Sequence, residues 1–310
     1  MIRSKIIVIA LIAVLAGTNV SAAAQGTQVR TRATLWQLHG QTADQGMSYV
    51  LATAAGTLLV VDGGWHEDAS HLLSFLQTRG NHVTAWFVTH PHRDHIGALN
   101  EILAMKAEGR CSIMIDAVYA SLPSQSWVTE RNDSNALAGL TEFLQRAPAA
   151  GIRVIPLAAN DTLSIDGLSI DVLLAHDTNR VSPASVNDSC LVFRITDGEK
   201  SILFLGDIQE SGGAALLDLP QARLRADVVQ VAHHGNPRAA CTETLYGRIN
   251  ACYYLWPTPV AWFKDDKNSI NEFRQRLTDR GAHRHFTWAD SELIELGGGV
   301  PAATSTGESR

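Results

Sequence analysis

The sequence predicts a mixed α/β (α+β) fold in which helices cover two β-sheets. Apolar strand patterns mix with helical patterns along the chain, and helices follow strands at two clusters of His and Asp residues. The predicted strands cover 33–39, 48–54, 57–61, 83–88, 112–118, 152–156, 168–174, 190–196, 201–205, 227–231 and 251–255. The predicted helices cover 68–79, 95–107, 134–146, 209–218 and 269–280.

The first predicted element is an export signal over residues 1–22. Arg3 and Lys5 form a basic start, an apolar run follows at 6–16, and Val20-Ser21-Ala22 offers a small-residue cleavage pattern. The run is shorter than the ~20 apolar residues that span a bilayer, which favours cleavage over a retained anchor. We therefore expect a periplasmic or secreted protein with no membrane span after cleavage.

The rest of the chain predicts one large globular domain over 30–295 and a disordered Gly/Ser/Thr/Ala-rich tail over 296–310. With 310 residues, of which 45% are hydrophobic and 18% charged, the chain has ordinary globular composition. The formal charge of −6 becomes −8 when the two cations of the leader are removed. This charge argues against stable nucleic-acid binding through phosphate contacts and favours a small-molecule or exposed ester substrate.

A group of potential metal ligands, His90, His92, Asp94 and His95, stands within six residues directly after a predicted strand. In an extended segment, residues two apart point the same way, so His90 and His92 can bind one ion. Asp94 and His95 can reach a second ion as the chain turns into a helix. Imidazole nitrogen and carboxylate oxygen suit zinc, and also manganese or iron. A helix cap would explain Asp94 alone, but not three histidines.

Two later strands also end in metal-ligand residue types. The strand at 201–205 runs into Gly206-Asp207, and the strand at 227–231 runs towards His233-His234-Gly235. In open α/β sheets, functional residues collect at the carboxyl ends of strands. A single Gly-Asp or His-His pair is a weak signal, but three such strand ends in one chain predict a metal site.

These residues resemble the motifs of the metallo-β-lactamase-fold hydrolases, and among them the hydrolase domain of ComEC-like competence proteins. The His-x-His-x-Asp-His motif stands at residues 90–95, the Gly-Asp motif ends at Asp207, and the His-His-Gly motif begins at His233 without its usual flanking Pro and Ser. Asp62 and the segment Asn187-Asp188-Ser189 match two further motifs. The resemblance covers about residues 33–287 and implies a four-layer αββα sandwich.

The resemblance also implies roles for individual residues. Asp207 would bridge two metal ions, and Asp62 would support the metal-binding loops. One of His233 and His234 would bind the second ion, and we assign His233 as that ligand. His234, together with Asp94, is assigned to catalysis, with His234 hydrogen-bonding the developing oxyanion or the leaving group. The implied metal ligands are His90, His92, Asp94, His95, Asp207 and His233.

The chain departs from the β-lactamase-type members at one ligand. Those members carry a further histidine before the bridging aspartate, and His176 is the only histidine in that interval. His176 either completes the shell of the first ion or is a polar residue at a strand end. Competence-type members resemble this chain in lacking the ligand, in which case His90, His92 and Asp207 hold the first ion with water.

This ligand set predicts a metal-dependent hydrolase. Two divalent ions, zinc before manganese or iron, bridged by Asp207 would lower the pKa of a shared water from about 15.7 to about 7 and supply hydroxide. A phosphodiester is the first choice of substrate because the competence-like motifs match best. Hydrolysis of a lactone or β-lactam, and a non-catalytic metal-binding extracellular module, are the alternatives.

Four cysteines and two loops complete the sequence-based expectations. Cys241 and Cys252 bracket a short helical segment and are the first pair to test for a disulfide, whereas Cys190 has the pattern of a buried hydrophobic residue. The loops 122–127 and 256–263 either line a substrate cleft or are ordinary surface loops. Two prolines in the second loop predict that it is not helical.

Overall fold

The computed structural model describes residues 33–177, 185–198, 200–237, 241, 243–279, 284–287 and 292–295. The predicted signal peptide at 1–22 and the predicted tail at 296–310 lie outside these residues. Among the residues described, no helix has the length and apolar character needed to cross a membrane.

The strands of the structure follow most of the predicted apolar runs. They are β1 (Thr34–Gln37), β2 (Ser48–Ala52), β3 (Leu58–Asp62), β4 (His82–Val88), β5 (Met114–Ile115), β6 (Val118–Ala120), β7 (Val154–Pro156), β8 (Thr162–Ile165), β9 (Leu168–Leu174), β10 (Val192–Asp197), β11 (Lys200–Phe204), β12 (Val228–Gln230), β13 (Tyr253–Trp256), β14 (Arg284–Thr287) and β15 (Glu292–Glu295). The helices are α1 (Ala69–Gln77), α2 (Arg93–Ala107), α3 (Gln125–Thr129), α4 (Ser134–Ala149), α5 (Glu210–Leu217), α6 (Gln221–Leu224), α7 (Glu243–Ile249), α8 (Val260–Lys264) and α9 (Ile270–Asp279).

The strands form two sheets that each combine antiparallel and parallel pairs. The first sheet has the order β15-β1-β2-β3-β4-β6-β7, with β5 also paired to β4, and is parallel from β3 to β7. The second sheet has the order β14-β13-β12-β11-β10-β9-β8 and is parallel from β11 to β14. The strands β4, β11 and β12, which precede the motif residues, therefore belong to the parallel halves.

Apolar packing confirms the predicted four-layer αββα arrangement. Aromatic residues of the two sheets meet between them, with the ring centroids of Phe87 and Phe193 4.9 Å apart and those of Tyr49 and Phe204 5.3 Å apart. On the outer face of the first sheet, buried residues of α1, α2 and α4 share one apolar cluster. Buried residues of α5, α7 and α9 share another cluster on the outer face of the second sheet.

Backbone hydrogen bonds link the loops at one edge of the two sheets. The amide of Leu191, next to β10, donates to the carbonyl of Thr89, which follows β4, at 2.8 Å. The amide of His233, after β12, donates to the carbonyl of Gly206, after β11, at 3.1 Å. The three segments that carry the motifs meet at this edge, where His95 Nε2 and His234 Nε2 each lie 3.2 Å from an oxygen of Asp207, as the parallel-sheet argument predicts.

Two local predictions are wrong. The stretch 112–118 is not one strand, because it contains the two-residue strand β5 and only the first residue of β6. The two prolines after Trp256 predict a non-helical loop, but α8 begins directly after Pro259. Pro259 precedes the first helical residue, where a missing amide hydrogen costs no intrahelical bond, so proline does not prevent a helix there.

The four cysteines are free thiols in the structure. Cys190 is buried, as the sequence predicts, and Cys241 is buried with its Sγ 3.2 Å from the carbonyl oxygen of Ile208. Cys252 is exposed. The pair Cys241 and Cys252 therefore occupies two different environments and is not joined.

Candidate metal centre

Four imidazole rings of the candidate site face each other in two pairs. His90 Nε2 lies 2.9 Å from His92 Nδ1, and His95 Nε2 lies 3.2 Å from His234 Nε2. The rings of His90, His95 and His234 are almost completely buried. Two nitrogen lone pairs that face each other at these distances can only both be satisfied by a shared proton or a cation.

On three of these rings the outward nitrogen donates a hydrogen bond. His92 Nε2 contacts an Asp133 oxygen at 2.8 Å, His95 Nδ1 contacts an Asp62 oxygen at 2.7 Å and His234 Nδ1 contacts the carbonyl of Pro257 at 2.8 Å. Carboxylates and carbonyls only accept hydrogen bonds, so each of these nitrogens is the donor. Such outer partners are what orient histidines that bind metal. The arrangement therefore fits a metal site.

The carboxylates complete two groups of potential metal ligands. One group consists of His90, His92 and Asp207, and the other of Asp94, His95, Asp207 and His234, with the ligand atoms of each group within 4.8 Å of one another. Asp207 belongs to both groups and is buried. The site can therefore hold two ions that share one carboxylate.

Charge in the second group is balanced between carboxylates and imidazoles. Burial raises the pKa of Asp207, but His234 and His95 lower it well below the usual value. Conversely, burial lowers the pKa of His234, while the carboxylates of Asp207 and Asp94 raise it to about 9. The pKa of His95 is likewise raised well above its usual value by Asp207, Asp62 and Asp94 against the effect of burial. The buried carboxylates of this second ligand group therefore stabilise a bound positive charge.

Asp62 stabilises the loop that carries residues 90–95 through hydrogen bonds. Its two carboxylate oxygens accept hydrogen bonds from the Thr89 amide at 2.8 Å, from Thr89 Oγ1 at 2.7 Å and from His95 Nδ1. Thr89 Oγ1 in turn lies 3.1 Å from His90 Nδ1. Asp62 is in neither ligand group, so its position is that of a residue supporting the loop.

A buried amide, Gln230, holds the Gly206-Asp207 turn. Its Oε1 accepts hydrogen bonds from the amides of Leu205 and Gly206 at 2.9 and 2.8 Å, and its Nε2 donates to the carbonyls of Gly206 and Val231 at 3.0 and 2.7 Å. Gly206 has φ +57, and a Cβ there would lie 2.9 Å from Cys190 Sγ. The sequence gives no sign of this role, because Gln230 lies within an otherwise apolar strand.

Left-handed backbone places His234, not His233, among the potential ligands. His233, His234 and Gly235 have φ values of +50, +53 and +74 in succession. This conformation is uncommon for residues with a Cβ and turns the His234 ring inward, 3.2 Å from oxygens of both Asp94 and Asp207. The motif resemblance implies His233 as the ligand and His234 as its hydrogen-bonding neighbour, and the positions of the two rings favour the opposite assignment.

His233 lies at the edge of the cluster. Its side chain is 18% exposed, and its Nε2 lies 4.0 Å from an Asp207 oxygen and 3.3 Å from Asn187 Nδ2. The amide nitrogen of Asn187 can only donate, so His233 Nε2 accepts and its proton resides on Nδ1. Burial lowers the pKa of His233, which keeps the ring neutral.

His176 belongs to neither ligand group. Its backbone amide donates to Ser121 Oγ at 3.0 Å, and its ring packs against Trp127 with centroids 4.8 Å apart. The guanidinium of Arg131 lies 3.4 Å from the centroid of the same Trp127 ring. Of the two readings from sequence, the structure favours a residue at a strand end, because β9 ends at Leu174.

A substitution at Gly235 tests the turn that positions His234. Besides its φ of +74, Gly235 has no room for a Cβ, which would lie 2.2 Å from the Trp256 ring. We expect Gly235→Ala to lower the free energy of unfolding by about 3 kcal/mol, from left-handed strain and overpacking. Urea unfolding measures the change. Gly151→Ala is the control, because Gly151 has a φ of +69 but nothing within 4 Å of the added Cβ. Equal losses in both variants would contradict this role of the Trp256 contact.

Comparison with known proteins agrees with this geometry. The sequence profile of the Metallo-beta-lactamase superfamily matches residues 41–245, which carry all of the ligand candidates described above. ComE operon protein 3 of Bacillus subtilis (strain 168) is 27% identical over 195 residues, which are 60% of this chain and 22% of that protein. The chain thus spans about a fifth of the length of this relative.

Solved structures show the same fold at low sequence identity. The metallo-beta-lactamase fold protein YhfI from Bacillus subtilis superposes with a TM-score of 0.56 at 14% identity, covering 84% of this chain and 98% of YhfI. A diphosphatase from the PhnP family gives a TM-score of 0.51 at 13% identity, with coverage of 86% and 98%. CmlA, a diiron β-hydroxylase from Streptomyces venezuelae, gives 0.51 at 14% identity, with coverage of 85% and 54%. The chain therefore belongs to the metallo-beta-lactamase superfamily.

Proposed function

We propose that the protein is an exported two-metal hydrolase that cleaves a phosphodiester in a small or exposed substrate. The observation that carries the proposal is the position of Asp207 between two pairs of facing imidazoles. His90, His92 and Asp207 would hold the first ion, and Asp94, His95, Asp207 and His234 the second. Zinc is the metal that we propose, because imidazole and carboxylate ligands suit it.

The residues around the ions have separate tasks. When bound, two divalent ions lower the pKa of water and polarise the phosphoryl oxygen of the substrate. Asp207 neutralises charge between the two positions, and Asp62 and Asp133 keep the imidazoles oriented. The ring of His233 is partly exposed, but its Nδ1, which carries the proton, is buried and lacks a hydrogen-bond partner among the described residues. We propose that substrate binding brings a phosphoryl oxygen within hydrogen-bond distance of this buried nitrogen.

Several features favour a phosphodiester over other esters. The segment Asn187-Asp188-Ser189 and the His233-His234-Gly235 motif resemble competence-type members, and ComE operon protein 3 is a relative over 195 residues. Asn187 contacts His233 directly, so the two motifs meet at one point. The expected mature charge of −8 favours a small or exposed ester over long nucleic acid. Export is proposed from the leader pattern at 1–22.

One plate assay tests the bond that is cleaved. The metal-loaded mature protein is assayed with bis-p-nitrophenyl phosphate, a chromogenic cephalosporin and an acyl-homoserine lactone. We expect turnover of the phosphodiester that disappears with a chelator and in His92→Ala. His82→Ala is the matched control, because His82 is an exposed histidine that pairs with Asp116 and lies outside both ligand groups.

The remaining outcomes of this assay would each indicate a different function. Hydrolysis of the cephalosporin or the lactone without phosphodiesterase activity would replace the phosphodiester by that bond. No turnover of any of the three by a fully metallated protein would favour a non-catalytic metal-binding module.

A further inference from the structure

The amino-terminal end of α4 holds the metal-binding loop through two side chains. Asp133 Oδ2 accepts a hydrogen bond from His92 Nε2 at 2.8 Å, and Asn135 Oδ1 accepts one from the backbone amide of Arg93 at 2.9 Å. Asp133 Oδ1 accepts from the Ala136 amide at 3.0 Å and caps the helix. Both oxygens of Asp133 are therefore in use, one for the helix and one for His92.

The bond to Asp133 determines which nitrogen of His92 carries the proton. A carboxylate accepts but does not donate, so the proton stays on Nε2 and the lone pair stays on Nδ1. Nδ1 is the atom that lies 2.9 Å from His90 Nε2, inside the first ligand group. The other tautomer would place a hydrogen on Nδ1, where a metal ligand needs a lone pair.

We propose that Asp133 is a positioning residue that fixes the tautomer of His92 and so sets the metal affinity of the group His90, His92 and Asp207. The inference rests on the proposed two-metal site but not on the identity of the substrate. Asp133 would then have a role in metal binding besides capping α4. The side chains of His92 and Asp133 are only 14% and 26% exposed, so water competes weakly for this bond.

Two substitutions of Asp133 separate its effect on helix capping from its effect on the tautomer of His92. Serine caps a helix about as well as aspartate, but its short side chain does not reach His92 while it caps. Asparagine has one carboxamide oxygen, so with its oxygen on the Ala136 amide its NH2 group faces His92 Nε2. That donor favours the tautomer with the proton on Nδ1. Asp133→Asn therefore opposes metal binding actively, whereas Asp133→Ser only removes the preference.

The experiment measures zinc affinity by competition with a chromogenic chelator in the full-length mature protein. We expect the affinity of one of the two zinc ions to fall roughly 10- to 100-fold in Asp133→Ser and further in Asp133→Asn. Urea unfolding of the metal-free variants should stay near wild type. Ser124→Ala is the control, because Ser124 caps α3 through the Trp127 amide without contacting a ligand, and it should retain wild-type zinc affinity.

Nitrogen-15 NMR of the metal-free protein shows directly which ring nitrogen of His92 carries the proton. We expect the proton of His92 on Nε2 in the wild type and on Nδ1 in Asp133→Asn. Wild-type zinc affinity in both Asp133 variants, or unchanged His92 tautomers, would overturn the inference. A loss of affinity that only follows a loss of folding stability would do the same. Neither measurement requires hydrolysis, so failure of the proposed phosphodiesterase activity would be seen separately in the substrate assay.

Discussion

Asp207→Ala is expected to abolish hydrolysis and to remove metal from both positions of the site. Asp207 belongs to both ligand groups, and its loss leaves two cations without the carboxylate between them. We expect about two ions per chain in the wild type, fewer than one in the variant, and a fall in kcat/KM of at least roughly a thousandfold. Elemental analysis of protein expressed with added metal measures the occupancy.

His176→Ala provides the comparison for this loss. His176 is outside both ligand groups, so its variant should keep both ions and lose much less activity. If His176→Ala empties the first position while Asp207→Ala keeps full occupancy, the assignment of ligands is wrong. Metal-supplemented wild-type protein that contains no zinc, manganese or iron would contradict the two-metal site itself.

The sequence predicts the fold well because its strands are apolar and their ends are marked. The strand pattern at 83–88 and the ligand types after it needed no knowledge of tertiary structure, and Asp207 follows an equally apolar strand. The short strand β8 was missed because only four residues, alternately exposed and half-buried, form it. Such a strand depends on its pairing with β9 more than on its own residues.

The partners that orient the ligands were harder to predict than the ligands. Asp133 lies 41 residues from His92 in the chain, and its local pattern indicates only a helix cap. Gln230 is one amide in a buried strand, and nothing in the sequence shows that its side chain bonds to the neighbouring turn. Both residues act through tertiary contacts, which residue spacing along the chain does not encode.

The roles of the two adjacent histidines depend on backbone conformation. Alternation of side chains applies only within the strand, and β12 ends at Gln230. Beyond it, His233 and His234 both adopt left-handed conformations, so spacing from the strand does not indicate which ring faces the metal site. Gly235 is the only local sign of a left-handed turn, and it does not distinguish the two histidines.

Alanine substitution of His233 and of His234 is expected to lower activity in both cases but to remove a metal ion only in the His234 variant. His234 Nε2 is 3.2 Å from oxygens of Asp94 and Asp207, so His234→Ala should lose the second ion and, with it, nearly all turnover. His233 contacts Asn187 and is partly exposed, so His233→Ala should keep about two ions. Loss of its hydrogen bond to the substrate should lower kcat roughly 100- to 1000-fold.

Metal stoichiometry and kcat, measured on the same preparations, separate these roles. The two variants control for each other, because they make the same substitution at adjacent residues with similar left-handed backbones. Asn187→Ala should resemble a mild form of His233→Ala, since the amide of Asn187 orients that ring but does not belong to a ligand group. If His233→Ala loses an ion while His234→Ala retains both, His233 is the metal ligand, as the sequence alone suggests. In that case the metal-free positions of the two rings do not persist when the ions bind.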